Sequence, residues 1–188
     1  MEQSKAYEAV QAGLIAGRNS TERMGAGGVF TVECRARDGS LKWTDTFHNL
    51  VVNEGLQDMN TQYFKGSAYT AAWYLGLVTG PGAGNTYAAG NTLASHIGWT
   101  ENTNYSGNRK AVTFGTATTA DPSVLTNSAA PSAFSMTGTA TIAGAFLTNA
   151  TSGTSGVLFS VGNFTGGDKL VDNGDTLNVT YQFSLDAA

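Results

Sequence analysis

A single cysteine, Cys34, has no second cysteine to pair with, so the chain forms no internal disulfide. It stands in an apolar-alternating run, which suits a small core filler. Charge is scarce as well. Asp, Glu, Lys and Arg make up 13% of the residues, about half the usual ~25%. The ten basic residues are scattered. Arg35, Arg37 and Lys42 come nearest to a cluster, but they stand among Glu33, Asp38 and Asp45. Neutralising phosphates takes grouped cations, so no nucleic-acid partner is expected. No run approaches the roughly 18 apolar residues of a membrane-spanning helix, so no membrane partner is expected. Met1-Glu2-Gln3-Ser4-Lys5 lacks the basic start and apolar core of a secretory signal, which points to synthesis in a reducing cytoplasm. There is no P-loop, dinucleotide fingerprint or nucleophile elbow, and Gly153-Thr154-Ser155-Gly156 has a turn's spacing instead.

What is present is glycine, 24 residues of it, with abundant threonine and alanine and only three prolines. This is the composition of short strands joined by tight turns. At 188 residues the chain suits one domain, which buries roughly 70% of its unfolded surface and needs neither metal nor disulfide to hold a core. The low charge has two readings: an ordinary β domain, or a surface that becomes covered in an assembly.

Residues 1–17 have the pattern of a short amphipathic helix, capped by Ser4 and stopped at Gly17, with Tyr7, Val10, Leu14 and Ile15 on one stripe. Alone it is too short to be stable in water and needs a surface to lie on. Residues 18–28 are polar and glycine-rich, as in a tether. The chain therefore divides into an N-terminal arm over 1–27 and a β-rich body over 28–188, with Tyr7, Val10, Leu14 and Ile15 as the arm's partner interface.

In the body, Val29, Thr31, Glu33 and Arg35 alternate with Phe30, Val32, Cys34 and Ala36, Asp38-Gly39 makes a hairpin turn, and a strand returns over 41–47. A further short helix starts at Asn53, carries Leu56, Met59, Tyr63 and Phe64 on its apolar face, and ends at Lys65-Gly66. The apolar run 71–78 predicts a strand buried on both faces, and residues 79–91 a long loop. More strands are expected over 110–114, 133–136, 139–147, 156–161 and 176–185, the last with the clearest alternation. The fold class is mainly β: a β-sandwich or jelly-roll-like body with one short N-terminal helical arm and one further short helix.

Chemistry is thinly represented. His48 ends a strand and reads as a turn residue. His96, beside Glu101, reads as a loop anchor. With Cys34 they make no metal-ligand spacing. Asp168, Asp172 and Asp175 lack the oxygen ladder of an EF-hand and read as solvated carboxylates around an Asn173-Gly174 turn. No catalytic residue, metal or cofactor is assigned. Trp73, Tyr74, Trp99 and Tyr105 are candidates for a sugar-binding platform, but adjacent Trp73 and Tyr74 point to opposite faces of a strand, so core packing is the simpler reading.

Several segments together carry a resemblance: residues 47–56 (Phe47-His48-Asn49-Leu50 onward), 72–77 around Trp73, 94–101 around His96 and Trp99, 139–147, and 163–169 (Asn163-Phe164-Thr165-Gly166-Gly167-Asp168-Lys169). From about residue 28 to the C-terminus the chain resembles a family of small structural proteins of tailed bacteriophages, most like capsid decoration (cement) proteins. The resemblance implies a virion component on the capsid surface, the major capsid protein as partner, and a homo-oligomer, with a trimer suggested by analogy only. It carries over no site residues. The alternatives are a phage tail or fibre component that binds host glycans and, further off, a glycan hydrolase, which needs two carboxylates facing across a cleft.

Overall fold

The structure is a computed structural model and describes residues 24–66 and 72–187. Tyr7, Val10, Leu14 and Ile15, and the helix expected over 1–17, lie outside the described residues.

The fold is mainly β, with two antiparallel sheets and, among the described residues, one α-helix. In chain order the elements are β1 (Met24–Arg35), β2 (Leu41–His48), β3 (Leu50–Val51), α1 (Asn53–Lys65), β4 (Tyr74–Thr79), a 3-10 turn (Gly82–Gly84), β5 (Glu101–Asn102), β6 (Lys110–Ala111), β7 (Ser123–Thr126), β8 (Ser132–Ser135), β9 (Ala140–Thr148), β10 (Leu158–Asn163), β11 (Lys169–Val171) and β12 (Thr176–Ala187). Sheet A runs β2-β1-β12, and both β7 and β8 pair with the far edge of β12. Sheet B runs β3-β10-β9-β4-β5, with β11 added on β9 and β6 on β4.

The sheets face each other across the main core, as a β-sandwich. Alternation decides which residues enter it. Phe30, Val32 and Cys34 of β1 and Leu177, Val179 and Tyr181 of β12 point inward from sheet A, toward Leu75, Leu77, Ile142 and Leu147 of sheet B. Rings fill the middle: Phe30 stacks on Phe47 at 5.1 Å and packs on Tyr181 at 4.7 Å. The Tyr181 hydroxyl stays satisfied in this dry interior by Asn49 Nδ2 at 2.9 Å and Ser160 Oγ at 3.4 Å.

Sheet B is buried on its other face too. Val78, Phe146, Leu158 and Val161 form a second core with Leu93 and Trp99, which are supplied by residues 80–100 folding over the sheet. This explains why the 74–78 run is apolar without alternation: both of its faces are dry. Residues 80–100 are held down at several points. Gly82 N–H donates to Asp168 Oδ1 at 2.7 Å, Asn163 Nδ2 donates to Gly82 O at 3.2 Å, and the Tyr87 hydroxyl donates to Asn163 Oδ1.

Three expectations need correcting. β1 begins at Met24, so residues 24–27, expected in the tether, are paired with residues 184–187 of β12; small Gly and Ala side chains do not prevent strand pairing when a long partner strand is already in place. Helix α1 starts where Asn53 predicts, but Val52 occupies the N-cap and no side chain caps it. Its stop agrees with expectation, with Gly66 in the left-handed region at φ 65°. The apolar residues of α1 are not all buried: Leu56, Tyr63 and Phe64 are exposed and Met59 is half-buried. The helix meets the body instead at Gly55, which lies against the backbone of Phe159.

Candidate docking surfaces

Among the described residues, most of the side chains singled out for their chemistry are tied into structure, while His48 ends β2 exposed on the outer face of sheet A. His96 lies on Trp99, ring centroids 3.9 Å apart, with its Nδ1 at 3.0 Å from the Trp99 carbonyl, so it anchors the loop as expected. Glu101 turns away from it to Arg109. The two form a fork, Nε to Oε1 at 2.8 Å and Nη2 to Oε2 at 2.7 Å. Arg109 also donates to the carbonyls of Ala150 and Gly153, so this buried cation holds the loop after β9.

Cys34 is buried, 3.8 Å from Asp175 Oδ2. Burial and the Asp175 charge push its thiol up to about 12. A nucleophilic thiolate requires the opposite surroundings.

The three aspartates do not converge. Asp168 accepts from Gly82 N–H, whereas Asp172 and Asp175 share Lys42 Nζ at 3.0 and 2.6 Å. Asp175 is not a solvated carboxylate: it is buried, and also accepts the Asp172 N–H at 2.8 Å. Burial acts to raise its pKa, but Lys42 and the Asp172 N–H outweigh that and hold the carboxyl below its ordinary range. Among the described residues no group of three His, Cys, Asp or Glu side chains could hold a metal ion, and no helix is long and apolar enough to cross a membrane.

The four aromatics do not build a platform. Trp99 and Tyr105 are 3% and 5% exposed, each in a different core, and Trp73 is half-buried with its ring on Phe159 at 5.3 Å.

Two surfaces stand out among the described residues. The first is the outer face of sheet A. Register places Thr46, Thr31 and Thr180 in one row across three strands. The next row is Thr44, Glu33, Asn178 and Ala133, and on the other side lie His48, Val29, Gln182 and Thr126. The hydroxyls of Thr31 and Thr46 are 3.1 Å apart. Glu33 and Arg35 cancel each other in a 2.6 Å pair. The result is a broad, almost uncharged face of hydroxyls and amides, with no exposed large apolar side chain in these rows. The alternate residues of β1, β2 and β12 hold this signal in the sequence, but only the register assembles the rows.

The outer edge of sheet A is partly closed. Thr165 Oγ1 donates to the Thr46 carbonyl at 3.2 Å, and Asp45 accepts the N–H groups of Thr165 and Gly166 at 3.1 and 3.0 Å. This obstructs strand addition along β2.

The second surface is a cavity of about 630 Å³ at one end of the sandwich, between the C-terminal half of α1, Trp73 and the end of β12. Met59, Tyr63, Phe64, Trp73 and Leu185 line it, together with the polar Asp58, Asn60 and Gln62. Tyr63 and Phe64 are 83% and 78% exposed and pack on one another edge to face at 4.9 Å. Sequence reading placed these two on the helix's apolar face, and the groove emerges because the helix docks by its first turns.

Compared with known proteins, the chain matches no family model, no curated protein and no solved structure.

Proposed function

We propose that this protein is a structural component of a virus particle: a capsid decoration protein that stabilises the shell by bridging neighbouring capsid subunits, rather than an enzyme. Its partner is the major capsid protein, its working form a homo-oligomer, and its place the outside of the capsid. The resemblance of residues 28–188 to phage structural proteins supplies the biological setting. The observation that carries the reading is the Thr-rich outer face of sheet A. A nearly neutral face desolvates at lower cost than a charged one, because few charges must leave water. Contacts of this kind are weak singly, but copies arranged around a symmetry axis add them by avidity. The fibre reading loses its motivation, since Trp99 and Tyr105 are buried rather than displayed on a concave face.

The test uses phage shells depleted of this protein. Adding the purified chain is expected to restore its co-sedimentation with shells and to raise the temperature at which they rupture. The double variant Thr31→Arg with Gln182→Arg, two outward positions that are not paired with each other, is expected to keep the fold, checked by circular dichroism, and to bind shells roughly tenfold or more weakly. Shells that neither bind nor gain stability from the wild-type chain would refute the assignment.

A further inference from the structure

The groove at the end of the sandwich has an occupant within reach. We propose that it seats this chain's own N-terminal segment, residues 1–17, folded back against the molecule it belongs to.

Three observations converge. The first is position. Met24 opposes Ala187 and Ala26 opposes Leu185 in the β1–β12 register. Leu185 is itself a wall of the groove. Met24, where β1 begins, therefore stands within two strand residues of the groove wall.

The second is length. Residues 18–23 between the segment and β1 span at most about 20 Å when extended. A helix of 17 residues is about 25 Å long. A short connection keeps the segment at an effective concentration near the millimolar range beside its own groove, ahead of any other molecule's groove in dilute solution.

The third is chemistry. Tyr7, Val10, Leu14 and Ile15 fall on one stripe at helical spacing. The groove offers Met59, Tyr63, Phe64, Trp73 and Leu185, an apolar wall with two rings that are exposed among the described residues. A stripe that is unstable alone and a groove that is wet alone each remove the other's apolar surface from water, as in helix-in-groove recognition.

The experiment keeps the full chain. Ala9→Cys places a nitroxide opposite the apolar stripe; Cys34 is buried and is replaced by Ala so that it takes no label. With label and 15N on the same chain, the amide signals of residues 59–64 and 183–185 are expected to be lost to paramagnetic broadening. In a mixture of labelled 14N chain and unlabelled 15N chain, those signals are expected to persist. Adding Leu14→Asp and Ile15→Asp to the labelled chain is expected to restore them. Undisturbed groove signals in the first sample would overturn the proposal. So would broadening in the mixture, which would assign the groove to a second copy, or broadening that survives the two aspartates. All three readouts concern the free protein, so they stand apart from the shell-binding test.

Discussion

Asp175 ties three distant parts of the chain together: Lys42 on β2, Cys34 on β1 and the Asp172 N–H before β12. Its carboxylate is buried and its pKa lowered, so its stabilising effect is full above the unfolded value near 3.9 and lost as pH falls through the lower folded value. Lys42 is raised in turn by Asp175 and then Asp172, so its share is full below the unfolded lysine value and lost as pH rises through the higher folded one. Replacing Asp175 by Asn is expected to cost about 2 kcal/mol at neutral pH, because a buried ionic hydrogen bond is lost. Denaturant titrations of both proteins down to low pH check this: the gap should close below the carboxylate range, and a gap that stays constant would place the effect elsewhere. Cys34 follows from the same geometry. Its thiol is expected to stay unmodified by a thiol reagent in the native protein and to react at once after denaturation. Fast native labelling would mean that the β1–β12 pairing opens readily.

Helix α1 is fixed at its start. Glu54 Oε2 accepts the N–H groups of Leu158 at 2.8 Å and Leu93 at 3.3 Å, joining the helix to β10 and to the loop over sheet B. One residue on, a Cβ on Gly55 would stand 2.6 Å from the Phe159 carbonyl oxygen and 2.9 Å from its Cα. Alanine favours a helix over glycine by about 1 kcal/mol, but overpacking against backbone costs about 1–3 kcal/mol. Gly55→Ala is therefore expected to lower stability by up to about 2 kcal/mol, read from denaturant midpoints, and a more stable variant would show that the contact yields. This approach is also where sequence reading stops. The β1 alternation, the Asp38-Gly39 turn with Gly39 at φ 85°, the two-faced burial of β4 and the inward set of β12 were all legible, because each is a local pattern of period or turn chemistry. Short strands such as β3, β5 and β11 were not, since two or three residues carry no period and exist only where a neighbour pairs with them. The exposed Tyr63 and Phe64 escaped for a related reason: a stripe tells which residues share a side, not whether the body reaches far enough to cover them. The Thr rows of the candidate face lay in plain view as alternate residues, without the register that lines them up.

At the scale of the molecule, sheet A contrasts with sheet B. Sheet B is dry on both faces, while sheet A leaves its outer face to solvent or to a neighbour. If the proposed shell contact uses that face, attraction between opposite charges contributes little to it. Shell occupancy is then expected to change only slightly between low and high salt in co-sedimentation, since screening acts on charges. A steep fall with salt would transfer the contact to another part of the surface. The two longest strands, β1 and β12, come from opposite ends of the described chain and pair along their whole length. Sheet A therefore closes only when the last strand is present, and long-range pairing of this kind folds slowly. The same pairing brings Met24 and Ala187 side by side. A passenger genetically fused after Ala187 would emerge at the corner where β1 begins, and should project beside the groove while leaving the broad threonine rows unobstructed.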